Sequence, residues 1–312
     1  MLARCSTACQ LLLAIAMLTV RATAGEIEPA EFPIELPELS SWPESAPHPP
    51  LPPFAVDSGD CYIWQVLPPG LMYHSYLAGE KEPRFQWVFL SEKDRGMVWE
   101  AALGGRIGIL RHGTCGAINP QGWQLDLEGA ALPRVDPEQH DDLEAVDFRV
   151  GLVSTSRHGP NAFKAGYYHL SSHVGDEFLI ANPGFARQNY VRDSLIAGWT
   201  HDVTTSTQIY GEIGYAFNHE DGAEPLELQF GTQYLPWGDG CRGAPFAAFN
   251  VHLREDFDFE TSINVVAGWQ WRGPQTDHRF RAGVQYYDGP SMQWSFTNLH
   301  ETLIGGGLWC DY

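Results

Sequence analysis

The sequence predicts an all-β chain whose body is a closed antiparallel transmembrane β-barrel, with about 12 strands (10–12). Three observations carry that expectation. Arg4, the apolar run Leu11 to Val20 and the small-residue site Ala22-Thr23-Ala24 before Gly25 read as a cleaved secretory signal, too short to span a bilayer. No later segment offers the roughly 18 consecutive apolar residues of a spanning helix, so a membrane role falls to a barrel. From about residue 85 onward, apolar and polar residues alternate with period 2 over segments near ten residues long.

The strands expected in order are 85–91, 100–111, 122–130, 146–156, 163–173, 192–201, 207–218, 225–235, 244–253, 261–272, 278–288 and 301–311. In the third, Trp123, Leu125 and Leu127 oppose Gln124, Asp126 and Glu128. In the fourth, Val146, Phe148, Val150 and Leu152 oppose Asp147 and Arg149. The seventh sets Ile209, Ile213, Tyr215 and Phe217 against Tyr210, Glu212 and Asn218; the eighth sets Leu226, Leu228 and Phe230 against Glu227 and Gln229. In the tenth, Ile263, Val265, Trp269 and Trp271 oppose Asn264, Gln270 and Arg272. In the eleventh, Phe280, Ala282, Val284 and Tyr286 oppose Arg279, Arg281 and Gln285. The chain closes on alternation ending in an aromatic (Ile304, Gly306, Leu308, Cys310, Tyr312), which resembles the terminal strand of outer-membrane barrels. Soluble sandwiches alternate too, but their strands usually run to about five or six residues.

The expected lumen lining is Asp126, Glu128, Asp147, Arg149, Glu212, Glu227, Arg279 and Arg281, which mixes both signs and suits a cross-barrel salt-bridge network. Connections after odd-numbered strands face outward, with 131–145, 174–191 and 289–300 expected as long outer loops. Ahead of the barrel, residues 1–24 are the signal, 25–53 a Pro-rich disordered linker with nine prolines, and 54–84 a periplasmic N-terminal segment.

The chain carries 32 Gly, 12 Tyr and 11 Trp, which suits β structure with aromatic girdles. Its net charge is −20, falling to −22 once Arg4 and Arg21 leave with the signal. No basic stripe is present to displace counterions, so nucleic acid is not an expected partner; outer-membrane lipid is. Cys61, Cys115, Cys241 and Cys310 remain after export, all on the periplasmic side of the expected topology, and their even number points to two disulfides of open connectivity. His112-x-x-Cys115 is the one local hint of zinc, and no metal site is expected from it.

The runs Leu77-Ala78-Gly79-Glu80-Lys81-Glu82-Pro83-Arg84-Phe85, Leu103-Gly104-Gly105-Arg106-Ile107-Gly108-Ile109-Leu110-Arg111 and Tyr168-His169-Leu170-Ser171-Ser172-His173-Val174-Gly175-Asp176-Glu177 resemble an uncharacterised bacterial family, domain of unknown function 1207. The resemblance runs from about residue 60 to the end. It implies an exported, barrel-like protein and brings no catalytic residues with it.

One run carries chemistry of its own. In a strand, His169 and Ser171 share a face, and a histidine beside a serine can act as general base for a hydroxyl nucleophile. The spacing Tyr-x-His-x-Ser resembles outer-membrane phospholipase A, and His-x-Ser recurs in the outer-membrane lipid A 3-O-deacylase. Carried over, Ser171 is the nucleophile and His169 the base, with Glu177, Asn182 or Asn189 orienting the imidazole. The sequence departs from the phospholipase pattern at Ser172, where that enzyme has asparagine. Continuing the face of Phe163, Ala165 and Tyr167 turns the pair toward lipid; the opposite register makes His169, Ser171 and His173 lumen lining.

Gly104-Gly105 and Gly305-Gly306-Gly307 sit in alternating strands with no following helix, so they form no phosphate loop and no cofactor is expected. The acidic pairs Asp141-Asp142 and Asp176-Glu177 are the places a divalent cation would find. Three functions stay open. The sequence favours a non-enzymatic small pore or structural anchor. The alternatives are a lipid hydrolase of the outer membrane and a soluble exported barrel that binds an apolar ligand.

Overall fold

The computed structural model describes residues 62–312 apart from 93, 94 and 239. The signal at 1–24, the linker at 25–53, the stretch 54–61 and Cys61 lie outside the described residues. A short strand, β1(Ile63–Val66), precedes β2(Phe85–Glu92), β3(Gly96–Gly113), β4(Gly122–Asp136), β5(Asp142–His158) and β6(Asn161–Val174). After the helix α1(Asp176–Ala181) come β7(Val191–Asp202), β8(Thr207–Glu220), β9(Leu226–Tyr234), β10(Ala244–Arg254), β11(Thr261–Arg272), β12(Arg279–Pro290) and β13(His300–Asp311). Each strand from β2 to β13 pairs antiparallel with the next, and β13 returns to β2 from Leu303↔Glu92 to Cys310↔Phe85. That closes a 12-strand barrel and leaves it no open edge. β1 pairs with the far end of β3, below the portion that β2 occupies.

The side-chain distribution is that of a membrane barrel, with the greasy side outward. Leu103, Ile107, Val150, Leu195, Val284 and Ile304 are exposed on the outer face. The charged partners of the same strands are buried inside. This inversion suits hydrocarbon outside and a closed polar core within. No described helix is long and apolar enough to cross a membrane.

Charge pairs fill the lumen. Glu128 receives Arg106 at 2.9 Å and Arg149 at 2.9 Å; Arg281 lies 2.7 Å from Asp311; Arg134 sits between Glu100 and Glu301. Of the expected lumen residues, Glu212 pairs with Lys164 and Tyr76, and Glu227 with Tyr168 and His252. Asp126 accepts from Gln124 and Thr155, and Arg279 faces Asp277.

Two further segments fold into this space. Leu71 to Arg84 are buried throughout, although the sequence reading placed 54–84 ahead of the barrel. The acids and bases around Glu80-Lys81-Glu82 look like a solvated stretch, yet each meets an opposite charge on the wall. Lys81 lies 2.5 Å from Asp147, Glu80 3.3 Å from His252, and Arg84 3.3 Å from Asp311. Wall donors also take the plug's carbonyls: Arg157 binds Met72, Arg106 binds Tyr73, and Asn264 binds Ala78. From the other side, the β12–β13 connection turns inward and buries Met292, Trp294 and Phe296.

Two expectations need correction. The long outer loop at 131–145 shrinks to a tight turn at 137–141, because β4 and β5 continue past it. Pro133 lies within β4 across from Val146, while its neighbour Arg134 is anchored inside. No disulfide joins the described cysteines to one another. Alternation turns Trp309 and Asp311 inward, so Cys310 lies on the outer side of β13, while Cys115 is exposed in the 114–121 connection.

Candidate functional site on the lipid face

Strand β6 alternates without interruption. Lys164, Tyr168, Leu170 and Ser172 are buried inward, which sets Phe163, Tyr167, His169, Ser171 and His173 on the outward face. Of the two registers open to the sequence, this is the lipid-facing one. His169 and Ser171 stand near the end of β6 that leads into α1, about 6.6 Å apart along the strand.

The residue that orients His169 comes from the neighbouring strand. Register places Asp193 of β7 directly across from His169, and Oδ1 lies 2.8 Å from Nδ1. An ionised carboxylate only accepts, so the shared proton belongs on Nδ1 and Nε2 keeps its lone pair. Tyr167 donates its hydroxyl to the same oxygen at 2.6 Å, and Asn218 donates its amide to Oδ2 at 2.7 Å. A bulge brings Asn218 there. The β7–β8 register steps from Asp193↔Asn218 to Ser194↔Ala216, leaving Phe217 as the extra residue. Strict alternation set Phe217 and Asn218 on opposite faces; with the bulge, both are exposed outside. Phe217 then packs 6.2 Å from the Tyr167 ring.

Glu177, Asn182 and Asn189 play no part in holding His169 among the described residues. Glu177 is exposed in α1, the Asn182 amide caps α1 at the Phe178 carbonyl, and the Asn189 backbone N–H goes to Asp221. Asp193 was legible by another route. It is the lone acid in the outward stripe Val191, Asp193, Leu195, Ala197, Trp199. A carboxylate on a lipid face is costly unless it is paired, and here His169, Tyr167 and Asn218 all bond it.

His169 is 35% exposed and Asp193 17%, an arrangement sheltered yet open to an approaching lipid. Ser171 and His169 are not bonded to each other here; catalytic contacts are often loose until substrate tightens them. No group of three or more candidate metal ligands occurs among the described residues. His112 instead packs against Trp64, ring centroids 4.7 Å apart.

A closed, plugged barrel with apolar strands outside defines the class: a transmembrane β-barrel of the outer-membrane fold type. The chain belongs to the family described as Protein of unknown function (DUF1207), whose model matches residues 66–312. No curated relative matches the sequence. Among solved structures it is similar to an active-site mutant of outer membrane phospholipase A from Escherichia coli, at 12% identity and a TM-score of 0.50, covering 74% of this chain and 91% of that one. The Salmonella typhi outer membrane phospholipase dimer with bound calcium gives 13% identity and a TM-score of 0.47, over 73% and 90%. A Rhodopseudomonas blastica porin triple mutant gives 9% and 0.33, over 74% and 98%. At such identities the likeness is one of fold.

Proposed function

We propose that this protein is a lipid ester hydrolase of the outer membrane, with Ser171 as nucleophile, His169 as general base and Asp193 as the carboxylate that orients it. One observation carries the reading: a histidine held by a buttressed carboxylate shares the lipid-facing side of one strand with a serine. Nε2 of His169 takes the Ser171 proton as the hydroxyl oxygen attacks the ester carbonyl. The imidazolium then returns that proton to the departing alcohol, and water repeats the cycle on the acyl-enzyme. The motif spacing and the fold it shares with outer membrane phospholipase A support the assignment. A phospholipid and a lipid A acyl ester offer the same bond, and testing both substrates separates them.

Of the non-enzymatic readings favoured by sequence, the pore has less support, since buried residues 71–84 and 291–296 fill the lumen; a structural anchor without activity is the outcome in which neither phospholipid nor lipid A is hydrolysed. The test is fatty-acid release by the purified protein from phospholipid or lipid A, compared with Ser171→Ala. Release by wild type and none by the variant supports the reading; equal release sinks it. A planar bilayer holding the intact chain should show no conductance steps.

A further inference from the structure

We infer that the lumen binds one small inorganic anion, of the halide class, at the end where β11 turns into β12 and β13 finishes. Four guanidiniums crowd around two carboxylates there. Arg272 and Arg279 are direct cross-strand partners, and Arg279 is paired on its other side with Asp311 of β13. Arg281 stands two residues along β12 on the same inward face, and Arg84 arrives from the end of the plug. Like charges set directly opposite each other on a sheet repel. Here they are also enclosed: none of the four side chains is more than 7% exposed.

Both carboxylates are already committed. Asp311 takes Arg281 through its two oxygens, at 2.7 and 3.2 Å, and Arg84 at 3.3 Å. Asp277 holds Arg272 on one oxygen and has His74 3.5 Å from the other. Arg279 is left 3.8 Å from an oxygen that Arg272 occupies. Its Nε is buried and has no hydrogen-bond partner among the described residues, and neither has the Nε of Arg84. The opposite end of the lumen has the reverse balance, with the single guanidinium of Arg134 between Glu100 and Glu301.

A buried charge is tolerated when a counter-charge and hydrogen bonds accompany it. An anion against the Arg279 guanidinium supplies both, as acceptor for the orphaned N–H and as the missing negative charge. Enclosure sets its size. A lipid headgroup or a peptide carboxylate brings a covalent tail that these buried groups leave no path for, whereas a chloride ion needs little more room than a water molecule. Arg84 repels Arg281 of the wall, so a negative charge among them also helps to keep the plug seated. None of this rests on the hydrolase reading.

The test is thermal unfolding of the full-length protein in detergent micelles, titrated with sodium chloride while sodium gluconate keeps the ionic strength constant. The wild-type midpoint should rise with chloride as an ion that binds only the folded state requires. Arg279→Gln keeps a polar side chain without the charge, and should move the response to chloride concentrations about tenfold higher or more. Arg187→Gln, on an exposed loop, should respond as wild type does. A wild-type midpoint indifferent to chloride, or an equal response in Arg279→Gln, overturns the inference. A rise with sodium phosphate and none with chloride overturns the halide class. Wild-type crystals grown in sodium bromide decide the matter even where Arg279→Gln does not fold. An anomalous peak beside the Arg279 guanidinium is expected, and bromide absent from that position overturns the site.

Discussion

Ser171 and Ser172 are chain neighbours with opposite surroundings. Ser172 faces the lumen, fully buried and bonded to Asp147 and Ser295 in a network that ties plug, wall and loop together. Ser171 faces lipid, half-exposed, beside a histidine whose one partner is an acid from the next strand. Inside, almost every charge has a nearby counter-charge, which is what a low-dielectric core requires of ions it contains. Outside, His169, Ser171 and His173 of β6, Asp193 of β7 and Asn218 of β8 interrupt a largely apolar face. Polarity in the lumen is explained by stability; polarity on the lipid face needs a chemical reason.

The comparison breaks most sharply at the outward pair. Ser171→Ala should lower ester hydrolysis by about 10⁴- to 10⁶-fold, since loss of a triad nucleophile removes the covalent route. Its unfolding free energy should stay within about 0.5 kcal/mol of wild type, as for surface substitutions generally. Asp193→Ala should cost about 10²- to 10⁴-fold in kcat, because the imidazole loses its orientation and its counter-charge. Initial rates on phospholipid micelles measure both. A Ser172→Ala variant as inactive as Ser171→Ala would place the chemistry in the lumen and reverse the assignment.

How much of this was legible in the sequence depends on which forces wrote it. Period 2 is imposed residue by residue, so every strand from β2 to β13 overlaps its expected segment. The shared face of His169 and Ser171 follows from the same rule. Asp193 was missed because the search for its role stayed in the loop after β6, at Glu177, Asn182 and Asn189. Cross-strand register is set by pairing, and a stretch read alone does not contain it. The bulge at Phe217 was invisible for the same reason. The plug was misplaced because Glu80, Lys81 and Glu82 look solvated until the wall residues that neutralise them are known.

On the inner side, the effect should appear in stability rather than turnover. Arg134 sits fully buried between Glu100 and Glu301. Arg134→Ala leaves both carboxylates without their common cation, at a cost of about 3–5 kcal/mol. Guanidinium unfolding of the protein in vesicles measures it. A shift under about 1 kcal/mol would mean that water enters the lumen and solvates the acids, weakening the contrast between the two faces.

The smallest expected effect sharpens the lumen further, at the end where β11 turns into β12. Asp277 is buried in that turn; burial alone would raise its pKa, but Arg272 and Arg279 outweigh it and hold the carboxyl down to about 2, against an ordinary 3.8. Its folded pKa is depressed, so the stability it contributes is fully present above about pH 4 and is lost as pH falls toward 2. From the size of that shift the contribution is about 2 kcal/mol. Comparing wild type with Asp277→Asn, the stability gap should be constant from pH 7 to 5 and close progressively between pH 4 and 2. A gap that persists at pH 2 would mean that Asp277 acts there through hydrogen bonds that survive protonation. The charge pairing read for the rest of the lumen would then need the same reappraisal.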